Sequence, residues 1–385
     1  MQRRPAPRIL VWVQHLLGIG HVRRAAAIVR ALHADGMDVA VLDGGFPVPG
    51  TDWAGARVVP LPPARAADET FKTVLDADGA PIDSAWKKRR AAEALLAARE
   101  ARPDAILVET WPFGRRAFGF ELRPLVEMAA QRDPRPAVLC SVRDVLVAKR
   151  DPARVEETAD RVLRSFDRVL VHADPALVEL GATFAAADRI ADRIAYTGYV
   201  ADAGPSPEPP GDDGRDEVVV SAGGGAVGLP LFRAALGARA LTPLAGRRWR
   251  LLCGRDLPDE DFRALAADAP PGVVVERARA DFPGLLARCA LSVSQGGYNT
   301  VMDLLRARCR AVVVPFARGT ETEQALRAGL LADRGVMAVV EEATLSPRTL
   351  ADGIAAALAA PPPPALPVRM DGAAETARIV RAMVG

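Results

Sequence analysis

Ser292-Val-Ser-Gln-Gly-Gly-Tyr-Asn-Thr-Val-Met-Asp303 runs from an apolar strand through a Gly-Gly turn into a helix opening on Asn299 and Thr300. A second strand-like run, Ala311-Val-Val-Val-Pro315, leads on to Glu321-Thr-Glu-Gln-Ala325. In an open α/β sheet, ligands bind outside the carboxyl ends of the strands, and a helix N-terminus there favours phosphate. Asp303, Glu323 and Gln324 supply hydrogen-bonding groups for sugar hydroxyls. The segment predicts a parallel sheet with a nucleotide-sugar pocket at its rim, lined by Gly296, Gly297, Asn299, Thr300, Asp303, Glu323 and Gln324.

The same alternation of strand and helix extends in both directions. Candidate strands upstream are Arg8–Val13, Asp38–Leu42, Ala56–Leu61, Ala105–Glu109, Ala137–Ser141, Arg168–Val171 and Ile194–Tyr196, with helices at Val22–Ala34, Ser84–Arg99 and Pro152–Phe166. Glu217–Ser221, Arg250–Cys253, Val273–Glu276, Leu291–Ser294 and Ala311–Val314 continue the pattern, which calls for parallel strands joined by crossover helices. Between the two series lies ADAGPSPEPPGDDGRD, residues 201–216, rich in proline and glycine and without apolar periodicity. The expected organisation is one α/β domain over 1–200, a linker over 201–216, a second over 217–368, and a terminal helix in 369–385 that returns to the first domain.

A chain of 385 residues exceeds one ordinary core, which favours two domains. Fifty basic against 48 acidic side chains leave no global charge to attract nucleic acid. Cys140, Cys253, Cys289 and Cys309 lack C-x-x-C spacing, and the four histidines form no H-x-x-x-H pair, so neither a metal site nor a disulfide framework is expected. The apolar start is interrupted by Gln14, His15 and the Arg23-Arg24 pair and reads as a strand rather than a signal peptide. No run reaches the roughly 18 apolar residues of a membrane span. A cytoplasmic protein with at most peripheral membrane contact is expected.

Three further groups carry chemistry. In Leu17-Gly-Ile-Gly-His-Val-Arg-Arg24, Gly18 and Gly20 permit a tight strand-to-helix turn, and His21 stands at the helix start as either a general base or a helix-capping residue. The spacing is not that of a dinucleotide fingerprint, and Asp43 is the only acidic claimant for a ribose at the second strand. Gly223, Gly224 and Gly225 lie between a strand and a helix, where backbone can approach a diphosphate closely. Glu109, Arg143 and Asp144 follow strands of the first domain and suit a polar acceptor, while Trp111 or Phe113 suits stacking on a sugar face. Lys87-Lys-Arg-Arg90 reads as a solvated helix face, and Trp12, Trp53 and Trp249 as core.

With these blocks together, the chain resembles GT-B-fold glycosyltransferases, and family 28 most closely, over nearly its whole length. The likeness is sharp at Gly18–Arg24, Ser221–Ala226 and Ser294–Ala328. It implies two Rossmann-like domains facing across a cleft, the donor on the carboxy-terminal one and the acceptor on the other. By that likeness His21 matches the histidine of the family's amino-terminal glycine loop, and Gly223, Gly224 and Gly225 the loop facing the donor phosphates. Asp303 stands where the family has a glutamate on the ribose, and Glu323-Gln324 where it usually has two glutamines near the donor sugar. The implied reaction is inverting, metal-independent transfer of a sugar from a nucleoside diphosphate, UDP by preference, to a hydroxyl or amine. His21 is the first choice of base, ahead of Asp144 and Glu109. A UDP-sugar hydrolase or epimerase of the same fold, and a non-catalytic nucleotide-sugar-binding protein, are the rival readings.

Overall fold

Ile9-Leu-Val-Trp-Val13 is buried along its whole length, as a central strand of a sheet covered on both faces must be. The computed structural model describes residues 5–68, 72–147, 151–201, 207–223, 227–317 and 322–385. They form two units, Met1–Ala203 with Val368–Gly385, and Gly204–Pro367.

The first unit runs β1 (Arg8–Val13), α1 (Gly20–Ala34), β2 (Asp38–Asp43), β3 (Arg57–Pro60), a small hairpin of β4 (Arg65–Ala66) and β5 (Val74–Leu75), α2 (Ser84–Ala101), β6 (Ala105–Glu109), α3 (Gly119–Ala130), β7 (Ala137–Arg143), α4 (Pro152–Ser165), β8 (Arg168–His172) and β9 (Ile194–Tyr196). Its seven-stranded sheet has the order β3-β2-β1-β6-β7-β8-β9, parallel throughout. Alternate residues of β1 point to opposite faces. Ile9, Val11 and Val13 pack with Val22, Ile28 and Leu32 of α1, while Trp12 meets Phe118 on the other side, ring centroids 6.1 Å apart.

The second unit runs β10 (Val218–Ser221), α5 (Leu229–Ala238), β11 (Trp249–Cys253), α6 (Asp259–Ala267), β12 (Val273–Arg277), α7 (Phe282–Arg288), β13 (Leu291–Ser294), α8 (Tyr298–Ala307), β14 (Ala311–Val313), α9 (Glu323–Ala332), β15 (Ala338–Val339) and α10 (Pro347–Ala359). The strand order β12-β11-β10-β13-β14-β15 is the doubly wound Rossmann order. The last helix, α11 (Gly372–Val384), belongs to the first unit. There Ala377 and Val380 join the core beside α1, and Arg381 Nε bonds Asp35 at 2.9 Å.

One reading of the sequence needs correction. Arg90 is not part of a solvated face but fully buried: its guanidinium pairs with Glu121 at 2.7 Å and donates to the carbonyls of Gly44 and Pro62 and to Gln14 Oε1. A helix offers only part of its circumference to water, and the turn that carries Arg90 faces the sheet. The described part of the 201–216 stretch is anchored on residues of the second unit. Arg288 holds the carbonyls of Pro209 and Gly211 at 3.2 Å, and Asp213 pairs with Arg250 and Arg279 at 2.7 Å.

Candidate functional site

Each sheet reverses its winding once, β1 against β6 in the first unit and β10 against β13 in the second. The crevice at such a switch point is where an open α/β sheet binds ligands, because the crossover helices leave it on opposite faces. His21 and Glu109 sit at the first switch point, and Gly223, Gly296 and Gly297 at the second.

In the first unit, α1 begins without a side-chain cap. The Nδ1 of His21, in its first turn, lies 2.9 and 3.0 Å from the two oxygens of Glu109. Glu109 ends β6, and Arg24, one turn further along α1, ion-pairs with the same Oε1, its Nη2 3.3 Å from His21 Nδ1. Thr110 donates its hydroxyl to Glu109 Oε2 at 2.6 Å. It does so from a left-handed backbone, φ 67°, an uncommon conformation for a β-branched residue and one that clusters at functional sites. The side chain of His21 retains 17% of its surface, that of Glu109 3%. His21 is thus the more accessible member of the pair.

Electrostatics fixes the protonation of this cluster. Burial opposes ionisation of Glu109, but His21, Arg24 and Arg115 override it and hold the carboxyl below the usual range. Desolvation takes His21 down to about 3, the neighbouring carboxylate opposing and Arg115 and Arg24 adding to the shift. Arg115 donates Nε–H to the carbonyl of Gln14 at 2.8 Å. Its pKa falls to about 10 through desolvation, partly offset by Glu109, with Arg143 and Arg24 as further causes. A neutral imidazole facing a carboxylate must donate Nδ1–H to it, which leaves the lone pair on Nε2.

Behind this pair, in the same sheet, Ser141 is the β7 partner of Glu109. Its Oγ lies 2.7 Å from His172 Nε2, and His172 Nδ1 lies 2.8 Å from Thr197 Oγ1. Nothing in the sequence singles out His172. No local pattern marks a contact made across β7, β8 and the residue after β9.

Other expectations for the first unit change. Trp111 and Phe113 do not offer faces to a sugar: they are 1% and 5% exposed, Trp111 packed on Phe166 and Arg161 and Phe113 on Phe184. The loop after β6 folds inward and buries its rings. Asp144 is fully buried, so its carboxylate is not presented at the surface as His21 is. Asp43 is occupied in its own turn, accepting from Gly45 N at 3.1 Å. Trp12 and Trp249 are core, and Trp53 packs half-buried against it.

In the second unit, Gly223 adopts φ 73°, with Ser221 Oγ accepting its N–H at 3.2 Å. Gly224 and Gly225 lie outside the described residues. The described ends of this loop are pinned by a residue the sequence reading left without a role. With its amide nitrogen turned towards them, as the surrounding acceptors require, the Gln295 side chain donates to the carbonyls of Ala222 and Val227 at 3.1 and 3.2 Å, and its backbone N–H donates to Ser221 O at 3.1 Å. Gln295 thereby ties the two glycine turns together. Gly297 is the N-cap of α8 and brings no side chain to the cap, so the first N–H groups of the helix face the turn without one. Asn299 and Thr300 lie in that first turn, and Asp303 is half-buried one turn on.

At α9, Glu323 is 5% exposed and Gln324 Oε1 accepts the Phe316 N–H at 3.0 Å. A Cβ on Gly296 would sit 3.2 Å from Val313 Cγ1 and 3.4 Å from Gln324 Cβ, so the turn packs closely between β14 and α9. Arg327, unremarked in the sequence, is 1% exposed and donates to the Gly296 carbonyl at 3.2 Å. Gly296, Gln324 and Arg327 therefore form one packed group. Gly18 and Gly20 flank the start of α1, where a Cβ on Gly18 would meet nothing within 4 Å. No helix among the described residues is long and apolar enough to cross a membrane.

Residues 223–378 match the glycosyltransferase family 28 C-terminal domain. Over 156 residues the chain is 30% identical to the UDP-N-acetylglucosamine--N-acetylmuramyl-(pentapeptide) pyrophosphoryl-undecaprenol N-acetylglucosamine transferase of Brucella canis, a stretch covering 40% of this chain and 41% of that protein. The match thus spans about two fifths of the length of that relative. Among solved structures, CalG4, the calicheamicin glycosyltransferase, aligns over 98% of this chain and 94% of its own with a TM-score of 0.61 at 18% identity. The spinosyn rhamnosyltransferase SpnG complexed with thymidine diphosphate covers 98% and 96%, with a TM-score of 0.61 at 20% identity. MurG of Acinetobacter baumannii covers 98% and 100%, with a TM-score of 0.57 at 15% identity. The fold is GT-B, and the likeness to family 28 glycosyltransferases holds.

Proposed function

We propose that the protein is an inverting glycosyltransferase that moves a sugar from a nucleoside diphosphate, preferably UDP, to a hydroxyl or amine of an acceptor. The observation that carries this reading is the His21–Glu109 pair at the switch point of the first sheet. Nδ1–H donated to an ionised carboxylate leaves Nε2 as a base, and Glu109 stabilises the imidazolium that forms when it takes a proton. The acceptor oxygen bonds to the anomeric carbon as the bond from that carbon to the diphosphate breaks. The electron pair leaves with the diphosphate, and the acceptor proton goes to Nε2.

In this reading the second unit binds the donor. Backbone N–H groups at the start of α8 meet the developing charge on the diphosphate, in place of a metal. Asp303 takes the ribose hydroxyls, and Glu323 and Gln324 border the sugar. The relatives and neighbours named above include proteins titled for UDP-N-acetylglucosamine and for thymidine diphosphate, so both bases belong in the test.

The test is a split between binding and turnover. With each donor, release of nucleoside diphosphate is followed with alcohol and amine acceptors and in water alone, where an equal rate would favour a hydrolase. His21→Ala is expected to bind donor as the wild type does and to release nucleotide about 10²- to 10⁴-fold more slowly. Equal turnover of His21→Ala and wild type would remove His21 as the base. Turnover undiminished by EDTA is expected, and its loss would contradict the metal-free assignment.

A further inference from the structure

Thr197 sits where the first unit hands the chain on. Its hydroxyl donates to the Gly198 carbonyl at 2.8 Å, so its oxygen accepts from His172 Nδ1–H at 2.8 Å. That fixes the tautomer of His172 and leaves Nε2 to accept the Ser141 hydroxyl proton at 2.7 Å. All three side chains are buried, at 0%, 0% and 1% exposure for Thr197, His172 and Ser141, which removes a nucleophilic role for Ser141. The backbone of Ser141 then reaches the active pair: its carbonyl accepts the Thr110 N–H at 2.7 Å. Thr110 in turn bonds Glu109, which holds His21.

The other end of this chain of contacts lies beside both crossings between the units. Gly198, at φ 83°, packs so closely on Arg369 that a Cβ would stand 2.8 Å from the Arg369 Cβ. Tyr199 N–H donates to Arg369 O at 2.8 Å, and Gly372 N–H to Tyr199 O at 3.0 Å. Val200 bridges Asp371. These contacts thus join the last described residues of the outgoing chain, Thr197–Ala201, to the start of the returning segment at Val368.

We propose that Thr197, His172 and Ser141 are positioning residues, a buried relay that couples the two chain crossings to the His21–Glu109 pair. Every link is directional. A displacement of the Gly198–Arg369 contact changes the seat of Thr197, then the ring of His172, then the Ser141 strand end that sets Thr110. This inference rests on the functional reading above only for its meaning in turnover. The coupling itself is read without a donor.

The chain has four histidines, so ¹⁵N-histidine labelling gives a spectrum in which His21 and His172 are assigned by His21→Ala and His172→Gln. In the wild type His21 is expected as the Nδ1–H tautomer. Thr197→Val, which cannot accept from His172, is expected to shift the His21 ring nitrogens towards a tautomer mixture and to slow nucleotide release. Thr197→Ser restores both. Ser141→Ala is measured in the same way and carries the test if Thr197→Val does not fold. His21 resonances that stay at wild-type positions in the folded variant overturn the relay. So does a loss of turnover that Thr197→Ser fails to rescue. A shift of His21 without any donor turnover in the wild type upholds the relay and overturns the sugar-transfer reading instead.

Discussion

A single carboxylate organises the chemistry of the first unit. Glu109 is 2% exposed and accepts from His21, Arg24 and Thr110 at once. Charge-assisted bonds of this kind are stronger than neutral ones, and removing one partner leaves the others buried without it. Glu109→Gln keeps the shape and loses the charge. It is expected to leave donor binding unchanged and to lower turnover, by about tenfold or more, because the imidazolium of His21 loses its counter-charge. Turnover equal to the wild type in this variant would contradict the role given to Glu109. His21 and Glu109 were both legible in the sequence, one after a glycine turn and the other at a strand end. That they meet was not, because 88 residues separate them and only the adjacency of β1 and β6 brings them together. Trp111 and Phe113 were misread for the opposite reason: a loop after a strand usually lies open, and this one closes on α4 and Phe184.

At the scale of elements, two loops depend on what they cannot contain. Gly44 follows β2, and a Cβ there would stand 2.1 Å from Arg90 Nη2 and 2.4 Å from Gln14 Oε1. Arg90 cannot yield, because its guanidinium is spread over Glu121, Gln14 and two carbonyls in a fully buried setting. Gly44→Ala is expected to cost about 1–3 kcal/mol in urea unfolding by overpacking, and an unchanged midpoint would show that the knot relaxes freely. In the second unit the glycine loop leans on Gln295. Gln295→Ala frees the carbonyls of Ala222 and Val227. It is expected to weaken nucleotide diphosphate binding severalfold by calorimetry, with little change in the fold; unaltered affinity would mean the loop is held by other contacts. The strands themselves were legible because buried parallel strands read as unbroken apolar runs, Ile9–Val13 and Val218–Val220 among them. Gln295 and Arg327 were not, since a polar side chain that braces a backbone turn looks in sequence like one that meets a ligand.

Across the whole molecule, histidines set the response to acid. His15, His21 and His172 all have pKa values below 6.5 in the folded chain, through burial first, and His21 and His172 lie at about 3. As pH falls below 6.5 the unfolded chain takes up protons that the folded chain refuses. Stability is therefore full above about pH 6.5 and declines below it, by up to about 1.4 kcal/mol per pH unit for each histidine. Glu109 acts in the same direction but lower, its contribution lost only as pH drops beneath the ordinary carboxylate range near 4.5. His172→Gln is expected to reduce the slope of unfolding free energy between about pH 6 and pH 5 by about one proton's share. An unchanged slope would place the acid sensitivity elsewhere. The same shifts keep His21 neutral at neutral pH, so the turnover of the protein is expected to hold down to about pH 5 without the fall that a histidine of ordinary pKa would impose.

Donor recognition is the claim on which the rest of the functional account stands, and thermal shift against a panel of nucleoside diphosphates and their sugars tests it most directly. UDP or thymidine diphosphate and one of their sugars are expected to raise the melting temperature. The shift is expected to vanish in Asp303→Ala and to persist in His21→Ala. No shift with any nucleotide, in protein that is folded and pure, would contradict the donor site and the sugar-transfer reading with it.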